Sequence, residues 1–465
     1  MNFGSGVRNP VTLTVTKNIK SLENYLALQL AADDVKVIKT KLLSGGAIQE
    51  NWLVDLDCSG GENDGVQHYV LRTDSPSSVA VSHSRPQEYQ LIKAAFDQGV
   101  TVPKPILLCE DLSVIDRPFY IMECVGGSAI GAHIIKQRYY KGDMEDLAYQ
   151  LGYEMAKIHK ITPETNNFDF LKSPSRNPGL TEIERYRAYL DELGVARPVL
   201  ELGLRSLELI ALPWEKPVLT HNDFRTGNYM VDEKGLTAIL DWEFSGWSDP
   251  HEDMGWFQAM CWRFGARDKP AGGVGSADSF YKGYAKASDL KIDTSRVRFW
   301  EVFAHIRWGV IALQQADRHL NGGEKNLNLA LTGRMLPEME FEILTQINPE
   351  IIFNSSNEMA IETFDQPDAK DLLETTASLL KEKLLPSLDG DAKFSALMAI
   401  NAINISTREI SNQISPFDVS KICTDIRNGI YDAPAERDDL SHALIKDVVR
   451  RLKISNPKYL KAAQN

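Results

Sequence analysis

The chain has 465 residues, 43% of them apolar and 25% charged, the composition of an ordinary folded soluble protein. Its length suggests roughly two to four domains, with core enough to stand without disulfides or structural metal. A formal charge of −13 argues against nucleic acid as the main partner, because phosphate backbones demand basic patches. None of the five cysteines, Cys58, Cys109, Cys124, Cys261 and Cys423, sits in a CxxC pair. That argues against a disulfide framework or zinc site and fits a reducing cytoplasm. The N-terminus lacks a basic start followed by an apolar run, and no apolar stretch reaches about 18 residues, so neither a signal peptide nor a membrane span is expected.

Along the chain, 21–30 reads as a short helix capped by Ser21. Strand-like segments follow at 37–43, 51–57 and 68–74, separated by a Ser44-Gly45-Gly46 turn and a polar Gly/Asn/Asp turn at 58–65. A helix is expected over 86–97 with Pro86 in its first turn, then strands at 103–109 and 118–124. The first ~125 residues thus read as a five-stranded sheet with a helix. Beyond 126 the pattern is mostly helical, at 142–160, 181–193, 198–211, 298–320 and 327–347. Short strands interrupt it at 218–223, 229–232 and 236–242. Residues 348–368 read as a linker. The remainder, 365–465, reads as an all-α domain in which Leu440, Leu444, Ile445, Val448 and Leu452 share one helix face.

The segment that carries chemistry is His221-Asn222-Asp223-Phe224-Arg225-Thr226-Gly227-Asn228, followed by Ile239-Leu240-Asp241-Trp242-Glu243. Phosphoryl transfer from ATP needs a carboxylate to orient the acceptor hydroxyl and take its proton, and hard oxygen ligands to hold Mg²⁺ against the phosphates. Asp223, Asn228 and Asp241 are those residue types at D-x-x-x-x-N spacing, with a second Asp downstream. The stretch resembles the catalytic loop and metal strand of the aminoglycoside phosphotransferase and choline kinase superfamily, relatives of protein kinases. The resemblance implies Asp223 as catalytic base, Asn228 and Asp241 as Mg²⁺ ligands, and His221 as a residue that fixes the loop. It also implies a bilobal, protein-kinase-like α+β fold: an N-lobe at 1–125, a mostly helical C-lobe at 126–350, and a further helical domain at 365–465.

Upstream residues suit the same plan. Arg72 lies in the third strand, where kinases keep a Lys for the α/β-phosphates; Arg can serve there through bidentate pairing. Glu88 shares its helix face with Leu91, Ile92 and Ala95. A carboxylate on an inward face needs a partner, and Arg72 is the expected one. Gly45 and Gly46 would let backbone N–H groups approach the phosphates. The resemblance places adenine against backbone groups of Glu123 and Val125. His159, Asp249 and Asp253 are expected to be structural, the two Asp residues as helix-start chemistry. Trp242, Trp247, Trp256 and Trp262 read as core.

WRFG at 262–265 and FWEVFAHIRWG ending at Gly309 extend the likeness to residues 20–340. Within the superfamily they resemble the phosphotransferase domain of acyl-CoA dehydrogenase-associated proteins, which implies a hydroxylated acid or acyl thioester as acceptor. An aminoglycoside-type antibiotic kinase and a catalytically silent pseudokinase serving as a binding module stay open as alternatives. Intact Asp223, Asn228 and Asp241 weigh against the silent form. Dimerising the chain, capping the acceptor site and binding a partner are roles open to the 365–465 helices.

Overall fold

The computed structural model describes residues 18–43, 49–74, 82–136, 139–210, 216–349 and 365–410, with isolated positions beyond. Gly45 and Gly46, most of the 348–368 linker and the segment Leu440–Leu452 lie outside the described residues.

The described residues begin with α1 (Ile19–Gln29), then β1 (Asp34–Leu42), β2 (Gln49–Ser59), β3 (Gly65–Asp74), α2 (Arg85–Asp97), β4 (Pro105–Cys109), α3 (Leu112–Ile115) and β5 (Phe119–Glu123). Helix α1 has Asn18 at its cap position, three residues before the expected cap Ser21. Ser21 falls inside the first turn, and its hydroxyl donates instead to the Ser113 carbonyl at 3.3 Å. The five strands form one antiparallel sheet in the order β1-β2-β3-β5-β4. The β2–β3 connection turns through Gly60 and Gly61, both at φ 74°, a conformation that side-chain-bearing residues resist.

Strand residues alternate between the two faces of this sheet. Leu71 and Ile121 pack on one face with Leu22, Leu26 and Trp52. Val70, Tyr120 and Met122 pack on the other with Leu91, Ile92 and Ala95 of α2. Arg72, two positions past Val70, therefore shares the face that α2 covers. It pairs across the sheet with Asn51 on one side and Tyr120 on the other.

The second half contains α4 (Gly131–Ile135), α5 (Met144–Ile158), α6 (Pro178–Leu193), α7 (Pro198–Ile210), β6 (Val218–Thr220), β7 (Tyr229–Val231), β8 (Leu236–Ile239), β9 (Gly246–Ser248), α8 (Pro250–Gln258), α9 (Ala277–Ala287), α10 (Thr294–Leu320), α11 (Leu327–Gly333) and α12 (Leu336–Ile347). Two antiparallel pairs, β6–β9 and β7–β8, hold the loops between them. The single helix expected over 327–347 is two helices. Pro337 stands in the first turn of the second, where its missing N–H and fixed φ do no harm, whereas mid-helix it would break a hydrogen bond.

The chain divides into two compact units, 1–311 with 335–357, and 312–334 with 358–465. In the second, α13 (Ala369–Leu379) and α14 (Gly390–Ile410) follow α11. His319 is fully buried there and accepts the Asn326 N–H at 3.0 Å through Nδ1. Its Nε2 meets the Asp371 carboxylate at 2.5 Å. Among the described residues no helix is long and apolar enough to cross a membrane.

In the first unit α5 and α9 approach until backbone meets backbone. A Cβ on Gly152 would lie 2.0 Å from the Phe280 carbonyl oxygen, and one on Gly283 would lie 1.9 Å from that of Tyr149. Gly152→Ala should therefore destabilise the protein by about 3 kcal/mol through forced separation of the helices. Gly126→Ala, whose Cβ meets nothing within 4 Å, should change stability by less than about 0.5 kcal/mol. Urea denaturation of the two variants checks this; equal midpoints would refute the close packing.

Candidate active site

Burying Arg72 and Glu88 on the same sheet face forces them together. Arg72 is 4% exposed and Glu88 1%. Arg72 Nε donates to Glu88 Oε2 at 3.1 Å, while Nη2 lies 2.8 Å from Oε1. Such two-point pairing offsets much of the desolvation that a lone buried charge would suffer. Arg72 Nη1 also donates to Asn51 Oδ1 at 3.2 Å, and Nη2 lies 2.9 Å from Asp241 Oδ1. One guanidinium thus joins the sheet, α2 and the strand end that carries Asp241.

A second guanidinium escaped the sequence reading. Arg85, also 1% exposed, pairs with Glu88 from the N-terminus of α2, meets Asp74 Oδ1 at 3.0 Å, and donates to the His83 carbonyl at 2.8 Å. His83 in turn donates its N–H to the Glu243 carbonyl at 2.9 Å, and its Nε2–H to the Ser245 carbonyl at 2.7 Å. Burial pushes the Glu243 carboxyl up to about 7 against the pull of Arg72, with Asp241 adding to the rise. Gln49 Nε2 donates to that carboxyl.

The loop 221–228 is held from beneath by Asp253, which is fully buried. Its Oδ2 accepts the His221 N–H at 2.7 Å and its Oδ1 the Asn222 N–H at 2.8 Å. His159 Nε2 completes the set at 3.1 Å, with its Nδ1 on Tyr284 Oη at 2.9 Å. Burial alone would raise the Asp253 carboxyl; the hydrogen bond and charge of His159 outweigh it and hold the group below its usual range. His221 spans the loop, donating from Nε2 to the Leu240 carbonyl at 2.9 Å and accepting the Asp223 N–H on Nδ1 at 3.3 Å. Asn222 and Asp241 sit at φ 60° and 63°, left-handed conformations that non-glycine residues rarely adopt.

Asp223 ends this frame with its carboxylate partly open. Its Oδ1 accepts from Arg225 Nε and Trp256 Nε1, each at 3.1 Å. Asn228 Nδ2 donates to the Asp223 carbonyl at 3.0 Å and to its Oδ2, which leaves the Asn228 amide oxygen for another partner. The Leu240 N–H donates to the Asn228 carbonyl at 2.8 Å, so the β7–β8 ladder sets Asn228 beside the Asp241 strand end. Neither Trp256 nor Arg225 was legible as a contact of Asp223. Trp256 is 33 positions away and reads as core, which its burial and that of Trp242, Trp247 and Trp262 bear out.

Among the described residues no group of three His, Cys, Asp or Glu is gathered to hold a metal. What Asp241 and Asn228 offer is a carboxylate and an amide oxygen, a donor set that suits Mg²⁺ completed by substrate phosphates and water rather than by a protein cage. Glu123 closes β5 with an exposed side chain, and its N–H is taken by the Lys104 carbonyl at 2.9 Å. Val125 follows beyond the ladder. Asp249 caps α8, accepting the His251 N–H at 3.0 Å, and pairs with Arg296.

Residues 39–290 match the APH phosphotransferase enzyme family. The chain belongs to that family. Similar proteins include acyl-CoA dehydrogenase family member 11 of Pongo abelii, 24% identical over 310 residues, covering 61% of this chain and 39% of that one. The 4-hydroxytryptamine kinase of Psilocybe cyanescens is 23% identical over 295 residues, covering 58% of this chain and 80% of that one. The chain spans 39% or less of the length of the dehydrogenase family relatives named 10 and 11 from Pongo abelii and Mus musculus. A Ralstonia eutropha protein assigned to the aminoglycoside phosphotransferases has a similar fold, with TM-score 0.55 and 22% identity, covering 71% of this chain and 98% of that one. The fold is thus the kinase-like α+β arrangement with helices following.

The two guanidiniums on one carboxylate make Glu88 the member that cannot be spared. Glu88→Ala should lower stability by about 3 kcal/mol, because it leaves two like charges buried together. Arg72→Ala should cost about half as much, since Arg85 still neutralises Glu88. Denaturant midpoints in the reverse order would refute the shared-carboxylate arrangement.

Proposed function

We propose that this protein is an ATP- and Mg²⁺-dependent kinase that moves the γ-phosphoryl group to an alcohol hydroxyl of a small molecule, a hydroxylated acid or its acyl thioester. The observation that carries this reading is the Arg72 guanidinium, which touches Glu88 and Asp241 at once beside a loop presenting Asp223 and Asn228. A cation for the phosphates, a carboxylate for the metal and a carboxylate for the acceptor are the groups that phosphoryl transfer asks of a protein. The relative named as a 4-hydroxytryptamine kinase supports a hydroxyl-bearing acceptor.

In this reading Arg72 anchors the α/β-phosphates, with Glu88 and Arg85 fixing its fork. Gly45 and Gly46 cover the phosphates, and the backbone of Glu123 and Val125 meets adenine. Asn228 and Asp241 are the residues that would hold Mg²⁺, which when bound neutralises charge developing on the phosphoryl oxygens. Asp223 orients the acceptor hydroxyl. Its oxygen bonds to the γ-phosphorus as the bond to the β–γ bridging oxygen breaks, the hydroxyl proton passes to Asp223, and ADP departs. Trp256 and Arg225 keep the carboxylate turned toward that hydroxyl.

Asp223→Asn should lower kcat by about 10²–10⁴ with nucleotide affinity little changed. Steady-state kinetics beside nucleotide titrations read both, and undiminished turnover would remove Asp223 from the mechanism. Asp241→Ala should abolish Mg²⁺-dependent ATP binding, measured by calorimetry with and without chelator. Unchanged titrations would show that the metal is held elsewhere.

A further inference from the structure

Phosphoryl transfer explains one side of Asp223 and leaves the other unexplained. Beyond the carboxylate, three indoles form one packed group. Trp256 and Trp262 have ring centroids 5.2 Å apart, and Trp262 and Trp308 have theirs 4.8 Å apart. Two guanidiniums lie over these rings: Arg225 Cζ is 4.6 Å from the Trp262 centroid and Arg307 Cζ 4.4 Å from that of Trp256. Planar cations over indole faces are held in place at little entropic expense.

The hydrogen-bonding balance of this group is lopsided. Trp262 Nε1, Trp308 Nε1 and Arg307 Nε are buried, and none meets an acceptor among the described residues. Trp262 is 7% exposed. A buried N–H without a partner costs about 1–3 kcal/mol, and native interiors leave few of them. Three in one aromatic group, next to two guanidiniums, mark a place built to receive acceptor oxygens. Nearby acids do not supply them. Glu252 Oε1 is 3.9 Å from Arg307 Nη1, too far for a hydrogen bond. Burial, reinforced by the neighbouring Glu182, holds the Glu252 carboxyl above the usual carboxylate range, which weakens it as a counter-ion for Arg307. Arg263, by contrast, is fully spent on the Gln258 and Arg267 carbonyls and Glu301.

We propose that Arg225, Arg307, Trp262 and Trp308 form the subsite that anchors the phosphoryl acceptor, and that they select a hydroxylated molecule bearing an oxyanion, carboxylate or phosphate, over polyamines. This rests on the reading of Asp223 as the group that receives the hydroxyl. The indole N–H groups and the free guanidinium edges bind the oxyanion at one end, and Asp223 receives the hydroxyl at the other. A polycationic acceptor would leave all three donors unmatched and face two like charges.

The test uses the full chain with Mg·ATP and a set of acceptors: hydroxybutyrate, hydroxyhexanoate, glycerol phosphate, the uncharged butanediol and hexanediol, and kanamycin. The anionic members should be turned over with kcat/KM about tenfold or more above the matched diols. Whether the carboxylates or the phosphate ester lead decides which oxyanion the subsite takes. Arg307→Gln should raise KM for the preferred anion about tenfold and leave KM for ATP unchanged. Trp308→Phe keeps a ring and deletes one N–H; it should raise the same KM a few-fold, and it decides the matter if the arginine variant fails to fold. Diols or kanamycin used as well as the anions, or variants that move KM for ATP instead, would overturn the proposal. So would a lack of turnover of every anion while Mg·ATP still binds through Asp241, an outcome that leaves the kinase reading standing. Loss of Mg·ATP binding itself would take both.

Discussion

A single carboxylate with no solvent exposure, Asp253, supports the reactive part of this molecule. It takes the N–H groups of His221 and Asn222 and a ring nitrogen of His159, so the start of the loop that presents Asp223 is fastened through its backbone, and the side chains of His221 and Asn228 add bonds across it. Asn222 holds its left-handed conformation with its N–H on Asp253 and its Nδ2 on the Phe244 carbonyl, bonds that offset the strain. Ligand-facing positions in such a loop can change without disturbing its path.

The parts that were readable in advance are those where chemistry fixes residue type and spacing. Asp223, Asn228 and Asp241 stood out because metal and hydroxyl chemistry tolerates few alternatives. Glu88 stood out because its helix face was otherwise apolar, and the structure puts it against Arg72 as that argument required. The five strands followed from alternation and turn residues. His159 and His221 were expected to be structural and do brace the loop, whereas Asp253, expected as helix-start chemistry, accepts the His221 and Asn222 N–H groups instead.

What stayed hidden depended on distant pairs. Arg85 looked like an ordinary helix-start residue, since nothing local shows that its guanidinium turns inward to share Glu88. Trp256 carried only an aromatic, core-like signal; its indole N–H reaches Asp223 because α8 leads back under the loop. Apolar periodicity ran through 327–347 without a gap, and Pro337, which divides the helices, is also a residue that a helix start accepts. Ser21 had the right chemistry for a cap, but a carbonyl on another element, Ser113, engaged its hydroxyl.

The Arg85–His83 connection has a consequence for how such an enzyme can be governed. In protein kinases, placement of the helix that carries the phosphate-anchoring Glu is a means of control. Here the start of α2 is stitched, through Arg85 to His83 and from His83 to the Glu243 and Ser245 carbonyls, onto the segment just past Asp241. Swinging α2 outward would sever those bonds and strip Glu88 of Arg72, while Arg85, on the same helix, would move with it. Wired this way, the start of α2 and the segment past Asp241 are held together by several bonds at once, so the Arg72–Glu88 pair is built to stay assembled.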